Sequence, residues 1–319
     1  MYKFTLENKN GDMLEFNKLG GAFTIVEIQG LYPAEATINT SKVAYLDGEL
    51  FNSSKVNMRT LNVAFAIEYD AAKNRLAVYD VLKPKQFVRA CYKSAVRDVY
   101  IDGYVQSVNI SHYEMKQVCT VAILCPSPYW RNAQELVNEL ENITSMFHFP
   151  FASTGNMFAL SKITTEGEDP LATEENESII DEQYFEVAGE KEIIFGMIED
   201  TVSIDIENDG DVETGLIFEL YARDTIGNPK IFDYNTGAFI GINFTMQAGD
   251  LVTIDTTGGN KSVMLLRDGV ESNLFNTLMQ GVTWLQLDFG GGTYTYEVGS
   301  GYARNLLLTI KYAALYEGV

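Results

Sequence analysis

Leu61-Asn62-Val63-Ala64-Phe65-Ala66-Ile67-Glu68-Tyr69 places a large apolar side chain at every second position. A period of two marks a strand with one buried face, because successive strand side chains point to opposite sides. Asp70 follows as a helix N-cap. Ala72, Leu76, Tyr79 and Val81 or Leu82 then recur at roughly helical spacing until Pro84 blocks continuation. Upstream, Tyr2, Phe4 and Leu6 alternate with polar residues, Asn10-Gly11 supplies a tight turn, and Met13 to Phe16 returns. Downstream, strands are predicted at 87–92, 99–101, 104–110 and 118–124, with Asp102-Gly103 as a second hairpin turn. Pro126 and Pro128 end the last of them, since proline cannot donate to a ladder. The first module therefore reads as a small all-β domain with one helix.

Asn132 and Glu135 make a capping-box-like start, and Leu136, Val137, Leu140 and Ile143 line one face of a predicted helix. That helix, 133–149, is taken as the connector between a first domain, 1–132, and a second, 150–319. The second is again strand-rich. Strands are expected at 192–198, 202–207, 216–221, 239–246, 251–255, 262–266, 284–288, 294–298 and 306–312. Asp209-Gly210, Gly249-Asp250, Gly258-Gly259-Asn260, Asp268-Gly269 and Gly290-Gly291-Gly292 punctuate them. Many short strands at this spacing imply a two-sheet antiparallel sandwich. The fold class is mainly β throughout.

The chain has 319 residues, 46% hydrophobic and 21% charged, with only 7 Pro, which excludes disordered and collagen-like classes. Charge divides unevenly. Residues 1–132 hold 15 Lys+Arg and 13 Asp+Glu, a net of +2, whereas 133–319 hold 8 and 31, a net of −23. Between Glu166 and Glu213, 18 acids face one base, Lys191. The piece EGEDPLATEENESIIDE, 166–182, has neither strand nor helix periodicity and is read as a mobile acidic loop. A total of −21 speaks against specific nucleic-acid binding, which needs clustered Lys and Arg. The opening MYKFTLENKNGD has no signal-peptide pattern, and no stretch reaches the roughly 18 apolar residues of a membrane helix. No membrane insertion is expected, and the chain is expected to be soluble and made in a cytoplasm.

Candidate chemistry is sparse. Asp205, Glu207, Asp209, Gly210, Asp211 and Glu213 echo a calcium loop, but position twelve, where a bidentate Glu belongs, is Leu216, and the flanks read as strands. A hairpin turn at Asn208-Asp209-Gly210 explains the pattern without metal. Cys91, Cys119 and Cys125 lack metal or redox pairing and read as reduced, buried thiols. His112, in a strand beside Tyr113, and His148, between Phe147 and Phe149, have no nucleophile-elbow Ser or Cys with them, and read as structural. Phe289-Gly290-Gly291-Gly292-Thr293 has no helix start behind it to make a phosphate loop and reads as a hairpin. Trp284 alternates with Leu285 and Leu287 and shares its face with Gln286 and Asp288, so partial exposure and sugar stacking are open to it. Paired carboxylates among 31 acids carry no specific signal of glycoside hydrolysis. No catalytic, metal or cofactor residues are assigned, and no enzyme activity or cofactor is expected.

The order and spacing of several pieces resemble the distal tail proteins of long, non-contractile-tailed bacteriophages infecting Gram-positive bacteria. These are the opening hairpin 2–16, AYLDGELFNSSKVNMRTLNVAFAIEYD, the helix running to Leu82-Lys83-Pro84-Lys85, the Asp102–Val105 segment and CPSPYW at 125–130. FHFPF at 147–151, NDGDVETG at 208–215, MQAGDLVTIDTTGGNKSV at 246–263, residues 283–289 and the closing KYAALYEGV complete the pattern. The resemblance implies an N-terminal split β-barrel with a helix, and a C-terminal galectin-like or carbohydrate-module-like sandwich. It implies a structural protein of the virion, at the distal end of the tail and assembled in the host cytoplasm. It implies a homohexameric ring that joins the tail tube protein to the tip protein, with DNA leaving through it. The second domain would project outward and hold receptor-binding proteins or meet a cell-surface glycan. The rival readings are a carbohydrate-binding adhesion module and a tail-tip glycoside hydrolase. Free phage, prophage and tail-like particle fit the resemblance equally.

Overall fold

The computed structural model describes residues 2–18, 21–45, 47–111, 117–140, 143–149, 193–198 and 203–319. The acidic loop expected at 166–182 and His112 lie outside them. Two compact units are distinguished, residues 1–141 with 201–319, and residues 142–200.

In chain order the first unit opens with β1 (Lys3–Asn8), β2 (Met13–Glu15), β3 (Phe23–Gln29), β4 (Ala36–Ser41), β5 (Leu50–Val56) and β6 (Arg59–Ile67). Helix α1 (Ala71–Val81) precedes β7 (Phe87–Lys93), β8 (Asp98–Ile110), β9 (Gln117–Cys125), β10 (Trp130–Asn132) and β11 (Leu136–Leu140). The second unit contains β12 (Ile143–Phe149) and β13 (Ile193–Ile198), an antiparallel pair. The first unit then resumes with β14 (Ser203–Ile206), β15 (Thr214–Ala222), β16 (Ile226–Gly227), β17 (Lys230–Asp233), β18 (Phe239–Gly241) and β19 (Thr245–Met246). It closes with β20 (Leu251–Asp255), β21 (Ser262–Arg267), β22 (Val270–Asn273), β23 (Gln286–Leu287), β24 (Gly292–Glu297), β25 (Leu306–Tyr312) and β26 (Leu315–Tyr316). The chain is mainly β, as expected. Among the described residues no helix is long and apolar enough to cross a membrane.

The N-terminal sheet runs β2-β1-β7-β8-β9-β6-β3, joined by β10 and β26. Its core follows the alternation read from the sequence: Phe4 and Leu6 from β1, and Leu61, Val63, Phe65 and Ile67 from β6, are all buried. Phe65 is the aromatic hub, with its ring centroid 4.9 Å from Phe16 and 5.7 Å from Phe23. Each such side chain contributes about 1.5–3 kcal/mol on burial.

Helix α1 lies where it was expected but turns a different face inward. Val78, Val81 and Leu82 enter the core, while Leu76 is 61% exposed and Tyr79 36%. Asp70 sits at the N-cap in a left-handed conformation and its side chain caps nothing. Asn74 holds the helix start instead, through Nδ2 to the Tyr69 carbonyl at 2.6 Å.

Asp102-Gly103 makes no hairpin, because β8 runs straight through it from Asp98 to Ile110. Gly103 is there for closeness: a Cβ would lie 2.7 Å from Ile123 Cγ2 and 2.8 Å from the Leu124 carbonyl oxygen. Asp102 faces outward and takes a bidentate fork from Arg89, at 2.7 and 2.9 Å.

The helical connector expected at 133–149 is overturned. Residues 136–140 form β11, which pairs with β25, matching Leu136 to Tyr312 and Leu140 to Leu308. Residues 143–149 form β12. The apolar spacing Leu136, Leu140, Ile143 suits either periodicity over so short a run, and an open sheet edge decided it.

The C-terminal part is two sheets on one core. One sheet runs β11-β25-β15-β20-β21-β22, with β23 on β15, and the other runs β14-β24-β17-β18. Phe218, Ile254, Leu308 and Ile310 from the first meet Ile206, Ile231, Ile240 and Tyr294 from the second. The stretch expected as one strand at 239–246 is broken into β18 and β19, and only 286–287 of the expected 284–288 is strand.

Gly103→Val tests the closeness reading. It is expected to cost about 1–3 kcal/mol by overpacking. Urea unfolding that stays within 0.5 kcal/mol of the parent, about the scatter of neutral surface changes, would refute the assigned contact.

Candidate functional site

The acidic loop 205–213 was the best metal candidate, and the structure disperses its carboxylates. Asp205 accepts a hydrogen bond from Thr293 Oγ1 at 2.6 Å. Asp209 is exposed. Asp211 accepts the Glu317 backbone N–H at 3.0 Å and lies 3.4 Å from Arg97 Nη2. Asn208 is buried, accepts the Gly210 N–H, and donates through Nδ2 to the carbonyls of Val212 and Asp288 at 3.0 and 3.1 Å. Among the described residues no three His, Cys, Asp or Glu side chains converge on a common point. The hairpin expected here is also corrected. β14 and β15 belong to different sheets, so 208–213 crosses from one to the other and pins the C-terminal segment as it passes.

The glycine run 290–292 is a crossing of the same kind, since β23 pairs with β15 and β24 with β14 and β17. It is not a hairpin. Trp284 is half-buried, stacks on Phe275 at 5.8 Å with 28° between planes, and lies 5.2 Å from Lys261 Nζ. Its ring is thus already engaged by Phe275 and Lys261. The three cysteines are free thiols, with Cys119 and Cys125 buried and Cys91 half-buried. Burial pushes the Cys119 and Cys125 thiols up to about 12, so neither supplies a thiolate nucleophile at neutral pH. β12 carries His148, of whose side chain nothing is described.

What the structure does bring together is a junction between the N-terminal sheet and the two-sheet part of the same unit. β10 pairs with β8 and with β26, matching Trp130 to Tyr316 and Arg131 to Leu315. The chain crosses outward from β10 to β11 and back from β25 to β26. Arg59, only 3% exposed, is the centre of this region. Its Nε donates to the Pro128 carbonyl at 2.6 Å, Nη1 to those of Gly30 and Tyr32 at 2.5 and 2.6 Å, and Nη2 to that of Glu317 at 2.5 Å. Gly30 has a φ of 93° and a Cβ there would fall 2.4 Å from the Thr60 carbonyl oxygen, so only glycine can present that acceptor. Burial pulls the guanidinium pKa below its ordinary value, yet an arginine starts high enough to stay charged at neutral pH.

Arg97 adds a second tie. It donates to the Gly318 carbonyl, stacks over Tyr316 at 4.2 Å, and pairs with Asp211. The Val319 N–H reaches the Leu31 carbonyl at 3.1 Å. A shallow depression of about 550 Å³ lies here, lined by Tyr32, Pro33, Val96, Arg97, Asp211 and Glu317, and Arg97 and Asp211 are paired with each other. Sequence reasoning did not single out Arg59 or Arg97. The signal for Arg59 was available: it shares the odd-numbered parity of Leu61, Val63, Phe65 and Ile67, a charge in the buried phase of a strand.

The fold is of a known class. Residues 209–316 match the family model described as the siphovirus-type tail component, C-terminal domain. Over its length the chain is similar to the Dit protein of phage SPP1, described as a paradigm of the hub adsorption apparatus in Gram-positive infecting phages. The TM-score is 0.62 at 13% identity, covering 98% of either chain. It is also similar to a chain of the phage P2 baseplate in its activated conformation, with calcium (TM-score 0.51, 12% identity) and with strontium (0.50, 13%), each over 100% of both chains. At these identities the structural likeness shows the fold, which is that of a Dit-like hub component of the phage tail. No curated protein sequence matches the chain significantly. The resemblance read from the order of sequence pieces is borne out.

Two outcomes are expected of this site. Arg59→Met strips four carbonyls of their donor at about 1–3 kcal/mol each where no water replaces it, so a loss of at least about 3 kcal/mol is expected in urea unfolding. Arg59→Lys should recover only part of it, because an ammonium cannot fork to four acceptors. A Met variant of parental stability would show that the carbonyl nest is not what holds the junction. Asp209→Asn, by contrast, should change stability by less than about 0.5 kcal/mol. Millimolar calcium over magnesium should leave the Tm unchanged. A calcium-specific rise abolished by Asp209→Asn would restore the metal site.

Proposed function

We propose that this chain is the distal tail hub of a phage virion: a structural protein, without catalytic activity, that assembles as a homohexameric ring. The ring joins the tail tube protein to the tip protein, and DNA leaves through its lumen. The carrying observation is the likeness to a hub adsorption protein along the whole chain, with the tail-component family model on residues 209–316.

The charge distribution supports a division of labour between residues 1–132 as the ring-forming part and the acidic C-terminal part as the outer domain. Residues 133–319 carry 31 acids against 8 bases, and six such parts crowded round an axis would repel. On an outer rim they would be separated by far more than the roughly 8 Å Debye length. The N-terminal part, 15 bases against 13 acids, carries a net charge of only +2 with which to hold passing DNA by counterion release. The outer domain is then free to hold receptor-binding proteins. Assembly in the host cytoplasm and residence at the distal end of the tail follow from this role.

Light scattering after size exclusion, with negative-stain images, tests the ring. The full chain is taken alone across a concentration series and with the tail tube protein added. Closed rings of six with an open lumen are expected in at least one condition. A strict monomer in both would overturn the proposal.

A further inference from the structure

The β4–β5 ribbon is sorted into two unlike faces, and neither is covered. Its register places Ala36 opposite Val56, Ile38 opposite Ser54 and Thr40 opposite Phe51, and opposed residues of an antiparallel pair share a face. That face therefore carries Ala36, Ile38, Thr40, Phe51, Ser54 and Val56, four of them apolar. The register shift between Asn39 and Thr40 leaves Asn52 as an extra residue, which swings Phe51 onto the apolar side. The other face carries Thr37, Asn39, Ser41, Leu50, Ser53 and Lys55, with Leu50 its one large apolar residue, and is held by polar pairs such as Asn39 Nδ2 to Ser53 Oγ at 2.9 Å. All residues of both strands are exposed, with Ile38 at 64% and Phe51 at 65%. The bare apolar face is on the order of 300 Å², comparable to the largest patch of an ordinary monomer, which is often functional. A two-stranded ribbon with its apolar side in water is marginal by itself.

A second bare apolar feature lies on α1, where Leu76 and Tyr79, three residues apart, face solvent beside Ala72. The two features cannot cover each other from their roots in one molecule. The ribbon joins the N-terminal end of β6 at Arg59, and α1 follows its C-terminal end at Ile67. Nine strand residues separate those ends by roughly 30 Å. Charge is complementary: Glu35, Asp47 and Glu49 outnumber Lys42 and Lys55 around the ribbon, while Lys73, Arg75, Lys83 and Lys85 outnumber Asp70 and Asp80 around the helix.

We propose that the Ile38–Phe51–Val56 face of the β4–β5 ribbon docks on the Leu76–Tyr79 stripe of α1 in a second copy of this chain. Two different patches at opposite ends of one strand make a head-to-tail contact, the kind that closes into a cyclic assembly. This rests on the ring reading above and names the surfaces that would build it.

The experiment uses the full chain under whichever condition assembles the parent. Ile38→Asp with Phe51→Asp should reduce the assembly to monomer, while its circular dichroism and melting match monomeric parent, since neither side chain touches the fold. In a Cys91→Ser background, mixing Phe51→Cys copies with Leu76→Cys copies under mild oxidant should give a crosslinked heterodimer, and either alone should give none. Parent and ribbon variant assembling alike would overturn this interface and leave the ring reading standing. So would Phe51→Cys crosslinking to itself, which would mean a two-fold contact instead. A parent that stays monomeric with the tube protein present would overturn both.

Discussion

A single guanidinium organises the unit formed by residues 1–141 and 201–319. Arg59 sits at the start of β6 with its charge buried among four backbone carbonyls drawn from residues 30, 32, 128 and 317. Among the described residues no carboxylate lies within ion-pair distance of it, and the carbonyl dipoles solvate the charge. A buried charge left without partners costs several kcal/mol, so each of those segments is held to the position where its oxygen reaches the fork. The loop after β3, the turn after β9 and the segment after β26 are thereby fixed to one another. They are far apart in sequence, and one of them belongs to the part of the chain that builds the other core.

That arrangement explains why two cores behave as one compact unit. The Phe65-centred core and the Phe218-centred core share no cluster, so hydrophobic burial alone would allow them to move independently. Three polar devices tie them: the β10–β26 pairing, the Arg59 nest, and Arg97 reaching both Gly318 and Asp211. Directional hydrogen bonds fix orientation where apolar contact fixes only proximity. If the protein acts as the hub proposed above, that distinction would keep the C-terminal part at one orientation to the N-terminal sheet. The acidic loop has the same role. Asn208 and Asp211 hold the returning chain, which is why acids that resemble a cation site are spent on backbone N–H groups and an arginine.

What was legible in the sequence was whatever the chain's own cores demand. The parity of Leu61 to Ile67, the Asn10-Gly11 turn, and the apolar phases of β15, β20 and β25 follow from burial on one face. So does the tail-component pattern, since it is built from those same pieces. Three kinds of feature were not legible. β11 was read as helix because Leu136, Leu140 and Ile143 satisfy both periods, and only the open edge of β25, 170 residues further on by register with Leu308 and Tyr312, selects strand. The glycines at 103 and 210 were read as turns because their use as close-approach positions depends on strands elsewhere. The junction was missed because Arg59 looks ordinary until its parity is compared with the apolar residues that follow it.

The same parity argument separates β6 from the β4–β5 ribbon. In β6 every residue of the apolar phase is buried, while in the ribbon four of the six residues on one face are apolar and all are bare. A chain under no constraint at an exposed ribbon has no reason to gather Ala36, Ile38, Phe51 and Val56 on one side. Apolar residues scattered singly on a surface need no explanation, but a face segregated by register does. Among the described residues all of that face is exposed. The segregation makes physical sense when the missing half of the contact is supplied by another molecule, and the ring proposed above would give every copy such a neighbour.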